Sequence, residues 1–187
     1  KLLKDKLSLD LILMIFPELK NLNTFYNLKF YDKELLKEND FIFLLSLMII
    51  DGTDNTDYFL YKFHLSNKDQ KRIKIIDDFN KEKINSKAIT ENKMNRIFYY
   101  KGKQAAIDIL NFKIIKSKSI NENIKELRDK YKVKSIPKIP ISANTLMKKY
   151  KIPEGQLLGK KIKLIEEEWV KNDFQITDQQ VDSIINN

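Results

Sequence analysis

Pro140-Ile-Ser-Ala-Asn-Thr-Leu-Met-Lys-Lys-Tyr-Lys-Ile-Pro153-Glu-Gly155-Gln-Leu-Leu-Gly159-Lys-Lys-Ile-Lys-Leu-Ile-Glu-Glu-Glu-Trp169 decides how this chain is read. It spells helix, short Pro/Gly turn, helix. After Gly155 the apolar residues fall at Leu158, Ile162, Ile165 and Trp169, the i, i+4, i+7, i+11 spacing of one helix face. The glycine lets backbone N–H groups approach a ligand, and the first N–H groups of a helix have no partner inside it, which suits a phosphate. Lysines crowd both flanks, with Lys148, Lys149 and Lys151 before the turn and Lys160 and Lys161 after it.

The same spacing recurs upstream. Ile120, Ile124, Leu127 and Tyr131 form one stripe, Leu65, Ile73, Ile76 and Phe79 another, and Ile89, Met94, Ile97 and Phe98 a weaker one. Ser66 to Asp69, Ser119 to Glu122 and Thr177 to Gln180 have the separation of a capping box, which marks helix starts. Together these place helices near 2–16, 23–29, 33–37, 40–51, 55–63, 67–81, 87–100, 103–116, 120–132, 142–150, 156–171 and 178–186. Strand-like alternation is nowhere sustained, and 4 glycines and 4 prolines are too few for the turns of a sandwich or barrel. The expectation is an all-α fold with no sheet. Pro137 and Pro140 bar helix in the residue before each. Residues 133–141 are therefore read as an extended linker between a helical body, 1–132, and a helical tail, 142–187.

Net charge is +9, and it is uneven. Residues 1–64 hold 8 basic and 10 acidic side chains, whereas residues 65–187 hold 27 and 16. The first third is a near-neutral packing element; the rest suits a polyanion. Lysines that merely solubilise helices, in a chain also rich in Asn and Ile, are the competing reading. With no cysteine there is neither a disulfide nor a thiolate metal site, which fits a reducing, cytoplasmic setting. The longest apolar run, Phe41 to Ile50, is about half of what spans a bilayer, so no membrane partner is expected.

Several residues invite chemistry and are better read as structure. Asp51-Gly-Thr-Asp-Asn-Thr-Asp57 lacks the ligand spacing and closing Glu of a calcium loop, so Gly52 is read as a left-handed helix end, with Asp54 or Thr56 capping the next helix. His64 is the single histidine and is read as a hydrogen-bonded structural residue. No Asp-x-Asp is present to hold paired metal ions, and Glu166, Glu167 and Glu168 diverge around a helix beside Lys160, Lys161 and Lys163 as a solvated ion-pair face. Neither a Walker loop nor a nucleophile elbow appears. The expected catalytic and metal-ligand sets of this chain are therefore empty. At Tyr99-Tyr100-Lys101-Gly102-Lys103 the tyrosines are expected to pack and Gly102 to end a helix. Lys101 and Lys103 remain candidates for phosphate contact, which asks only for exposed charge. Trp169, with Phe174, is expected to anchor the tail helix.

Three segments, in order, carry a resemblance. Phe63-His-Leu-Ser-Asn-Lys-Asp-Gln-Lys-Arg72 is similar to W/F-x-L-S-N-x-E-x-x-R, and Tyr100-Lys-Gly-Lys-Gln-Ala-Ala-Ile-Asp108 is similar to L-G-R-Q-A-x-x-D. The opening stretch is similar to P-x-S-G-x-D-L-x-x-x-G-I-x-P-G-x-x-x-G-x-x-L, and Phe16-Pro-Glu-Leu19 resembles an entry to the first of these regions. The chain thus resembles the C-terminal body and tail of bacterial class II tRNA nucleotidyltransferases, the CCA-adding enzymes, and of the related bacterial poly(A) polymerases. It departs from them in Ala143 and Thr145 for Gly and Asp, Lys151 for Gly, and Lys103 for Arg. The resemblance implies that catalysis, with Mg2+ and CTP or ATP, belongs to an N-terminal head and neck not contained in this sequence. Body and tail would clasp the acceptor stem and elbow of tRNA. The expected RNA-binding residues are Lys148, Lys149, Lys151, Gly155, Lys160 and Lys161, then Lys101 and Lys103, with no cofactor in this chain. The missing initial Met suggests a piece either excised from such a parent or encoded separately, and a neck would cover an apolar face among residues 1–50. A helical protein-interaction module without an RNA role is the alternative from another class.

Overall fold

A computed structural model describes residues 5–22, 35–82, 89–117 and 122–186. Among them run ten helices: α1 (Lys6–Ile15), α2 (Phe41–Ile49), α3 (Asn55–Lys62), α4 (Asn67–Glu82), α5 (Glu91–Tyr100), α6 (Lys103–Lys116), α7 (Glu122–Val133), α8 (Ala143–Tyr150), α9 (Gln156–Lys171) and α10 (Asp178–Asn186). A helical turn precedes α2 at 35–37, and no strand occurs among the described residues. The fold is all-α. The helix expected at 23–29 and the cap expected at Ser119 lie outside the described residues.

By packing, the chain falls into two compact units, Lys1–Ala88 with Ile107–Asp129, and Ile89–Ala106 with Lys130–Asn187. This grouping differs from the boundary read at 133–141. The segment between α7 and α8 is non-helical, but α5 belongs with the tail helices because its side chains pack on α9. Prolines report local backbone; they carry no information about which distant helix a face will meet.

The first unit is built on the apolar run. α2 buries Phe43, Leu45, Leu47 and Ile49 and packs against α3 and against α4, which contributes Ile73, Ile76 and Phe79. Asp40 caps α2 by accepting from the Phe43 N–H at 3.0 Å. Gly52 takes φ +86 just beyond α2. Asp54 makes no side-chain cap for α3; instead the Asn55 N–H donates to the Thr53 hydroxyl at 3.2 Å. The buried Asn55 amide also ties the Glu18 and Ile49 carbonyls at 2.8 and 2.7 Å. α4 opens on Ser66, whose Oγ accepts from the Asp69 N–H and donates to the Asp69 carboxylate. His64 is exposed and makes no hydrogen bond among the described residues, so the structural role expected for it does not hold. No residue of α1 is buried, and Leu7 and Met14 are 70% and 79% exposed.

In the second unit Leu146, Leu158, Ile165 and Val181 form a small core, joined by Ile139, Ile141, Met147, Ile162 and Ile184. Ser142 caps α8 through the Thr145 N–H at 3.1 Å. Thr177 and Gln180 form a reciprocal box at the start of α10, with N–H to side-chain distances of 2.9 and 3.3 Å. Trp169 is buried edge-on to Tyr99 of α5, with ring centroids 5.4 Å apart, and also meets Phe174 at 5.1 Å. It anchors the tail as expected, but against α5 rather than inside the small core.

Candidate nucleic-acid interface

Five of the predicted lysines flank the turn between α8 and α9 along the chain. α8 ends at Tyr150, and Lys151 adopts the left-handed conformation, φ 54 and ψ 30. For an L-residue this conformation costs about 1–2 kcal/mol. Pro153 then leads to Gly155 at φ 147 and ψ −166, a region that side chains essentially exclude. A methyl added there would meet nothing within 4 Å, so the backbone angle, not space, calls for glycine. No side chain caps α9, so its first N–H groups face outward with the positive end of the helix dipole.

Around this turn Lys148, Lys151 and Lys160 are exposed and have no hydrogen bond or ion pair among the described residues. Lys149 lies 3.8 and 3.9 Å from Asp178 and Asp182 and stacks over the Tyr150 ring. Lys161 is employed differently. It is half-buried and donates to the Ile184 carbonyl at 2.8 Å, tying α9 to the last turn of α10. A sequence reading counts Lys161 as a neighbour of Lys160, but on a helix adjacent residues point about 100° apart.

Lys101 and Lys103 flank Gly102, which has φ +96 between α5 and α6. Asn92 donates to the Lys171 carbonyl at 3.1 Å, and Tyr99 donates to Glu166 at 2.8 Å. α5 therefore runs antiparallel to α9, and its C-terminal end, with Lys101 and Lys103, lies toward the end where α9 begins. Neither lysine has a partner among the described residues. Tyr99 packs on Trp169, and burial together with Glu166 pushes its hydroxyl up to about 12, so it stays a neutral donor. Tyr100 is nearly half exposed.

The acidic run divides its labour. Glu166 accepts from Tyr99, Glu167 lies 4.0 Å from Lys163, and Glu168 pairs with Lys171 and Asn172. Among the described residues no three His, Asp or Glu side chains gather as a metal site would need. No described helix is long and apolar enough to cross a membrane.

The two upstream motifs meet each other. Arg72 clasps Asp108 through Nε–Oδ2 and Nη2–Oδ1 contacts of 2.6 and 3.0 Å, and its Nη1 reaches Asp40 at 2.5 Å. The Asp108 hydrogen bond, then that of Asp40, holds the guanidinium well above its ordinary pKa. These residues brace the first unit; the resemblance marked them without telling what they touch. Reading the sequence also passed over Arg96, an exposed guanidinium on α5. Its signal was rarity, for the chain has three arginines among 35 basic side chains.

Residues 34–183 match the family model of tRNA nucleotidyltransferase domain 2. Searches among curated proteins and among solved structures found no match to the chain.

Proposed function

This chain belongs to the tRNA nucleotidyltransferase domain 2 family, and from that premise we propose that it holds tRNA by its sugar–phosphate backbone while a separate N-terminal head performs nucleotidyl transfer in the cytoplasm. The observation that carries the proposal is the set of unpartnered cations around Gly155: Lys148, Lys151 and Lys160, extended by Lys101 and Lys103. A lysine kept only for solubility does as well beside a carboxylate. These have none, and they surround a helix start whose N–H groups face outward. Double-helical RNA presents phosphates and shape rather than a readable major groove, so the grip is tolerant of sequence. Mg2+ and CTP or ATP would belong to the head. CCA addition and poly(A) synthesis would use the same grip, and extension assays with each nucleotide on the parent enzyme distinguish them.

The test is the salt dependence of tRNA affinity. Each phosphate neutralised by a lysine contributes about 0.7–0.9 to the log–log slope. Replacing Lys148, Lys151 and Lys160 together by Gln should lower the slope by roughly 2–3. An unchanged slope in the triple variant, or a flat response in the unaltered chain, overturns the proposal. A stable protein partner with no gel shift on tRNA would favour the interaction-module alternative.

A further inference from the structure

α5, α9 and α10 enclose an open groove of about 640 Å3 within the second unit. Its most informative side chain is Arg96. In a chain that otherwise uses lysine almost throughout, an arginine points to a need for the planar fork rather than for charge alone. Arg72 is spent on Asp108 and Asp40, and Arg128 on Asp129. Arg96 is exposed in the groove and makes no hydrogen bond or ion pair among the described residues; only the Tyr100 hydroxyl, one helical turn on, feels its charge.

The rest of the lining is arranged in pairs. Lys161 stands on the wall with its amine fixed by the Ile184 carbonyl. Asn92 commits its NH2 to the Lys171 carbonyl, which leaves its oxygen as an acceptor. Gln180 commits its oxygen to the Thr177 N–H and hydroxyl, which leaves its NH2 as a donor. Leu164, 49% exposed, and Ile184 give the groove an apolar wall. Glu167 and Glu168 also line it, and Glu168 is paired with Lys171. Three cations against two carboxylates leave the groove one positive charge, which matches the single negative charge of a phosphodiester.

We propose that this groove holds one unpaired nucleotide of the bound RNA. Arg96 forks onto its phosphate, the base lies against Leu164 and Ile184, and the Asn92 oxygen and Gln180 NH2 meet its edge. The inference rests on the RNA-holding reading above and adds to it a preference for strands with an unstacked base.

The test compares a short blunt RNA duplex with the same duplex carrying one bulged nucleotide, on the unaltered 187-residue chain and on Arg96→Lys and Arg96→Gln. The bulge should strengthen binding to the unaltered chain by roughly tenfold, the order of one good bidentate contact. Arg96→Lys keeps the charge but not the fork, so it should lose most of that gain while binding the blunt duplex as before. Arg96→Gln should lose the gain and slightly weaken blunt-duplex binding. Far-UV circular dichroism should show all three equally folded, since Arg96 is exposed and makes no hydrogen bond or ion pair among the described residues. If the bulge adds nothing while the blunt duplex still binds, or if Arg96→Lys retains the full gain, the groove does not take a nucleotide and the backbone grip stands. If neither RNA binds the unaltered chain, both readings fall.

Discussion

Asp108→Asn removes one charge and almost no volume from the brace that joins two of the three motifs. Asp108 is fully buried, the Arg72 side chain is 18% exposed, and Asp40 on the far side is 57% exposed. Taking away the buried partner strands a largely desolvated guanidinium, which costs about 3–5 kcal/mol. With a urea slope of about 2 kcal/mol/M, the unfolding midpoint should fall by roughly 1.5–2.5 M. Asp40→Asn is the control. Its carboxylate is exposed, so the ion pair counts for about 1 kcal/mol or less, and Asn still caps α2. Replacing both buried partners by apolar residues, as in the double variant Arg72→Met with Asp108→Leu, should cost much less than Asp108→Asn alone. Urea titrations followed by far-UV circular dichroism read all three. Fluorescence of Trp169, the single tryptophan, reports the second unit separately. A midpoint within about 0.5 M of the parent, on the same slope, would refute the bracing argument. So would a stable Asp108→Asn protein that has lost tRNA binding, because the motif would then be a contact surface.

Lys151→Gly should raise stability by a few tenths to about 1 kcal/mol, since it relieves the left-handed strain but gives the unfolded chain more freedom. It should at the same time weaken tRNA binding by removing a cation; melting and gel-shift measurements on one variant check both signs. Gly155→Ala should destabilise by about 1–3 kcal/mol from backbone angle alone, read by urea unfolding. Burial pushes the Lys116 amine down to about 8, with the Asp51 charge opposing. Between that value and the ordinary 10.5 the unfolded chain binds the extra proton, so stability rises with pH across this window. Lys116→Met should be more stable at neutral pH and should flatten the rise, as unfolding midpoints from pH 7 to 10 would show.

What could be read from the sequence follows from the range of each interaction. Ser66 and Thr177 announce helix starts because their hydroxyls bond an N–H three residues away. The stripe Leu158, Ile162, Ile165, Trp169 announces a buried face because the helix period is fixed. Neither says which face meets which. That Tyr99 would close on Trp169 and Glu166, so that α5 joins the tail, depends on contacts some 70 residues apart. Arg72 and Asp108 were conspicuous as motif letters, yet their 36-residue separation hid the fact that they hold each other. Lys161 was read from its charge, and its carbonyl partner on α10 could not be seen. Lys151 took a left-handed angle although its residue type disfavours one, because the turn into Pro153 and Gly155 leaves little choice.

The crossing of the chain between its two units has a practical result. α6 and α7 each begin in one unit and end in the other, so no single peptide bond separates them cleanly. A protease or gene truncation acting on the extended stretch after Val133 would look, on paper, like tidy trimming of a tail. It would instead strip α5 of its cover, leaving Tyr99 and its neighbours facing water and ready to stick to other chains.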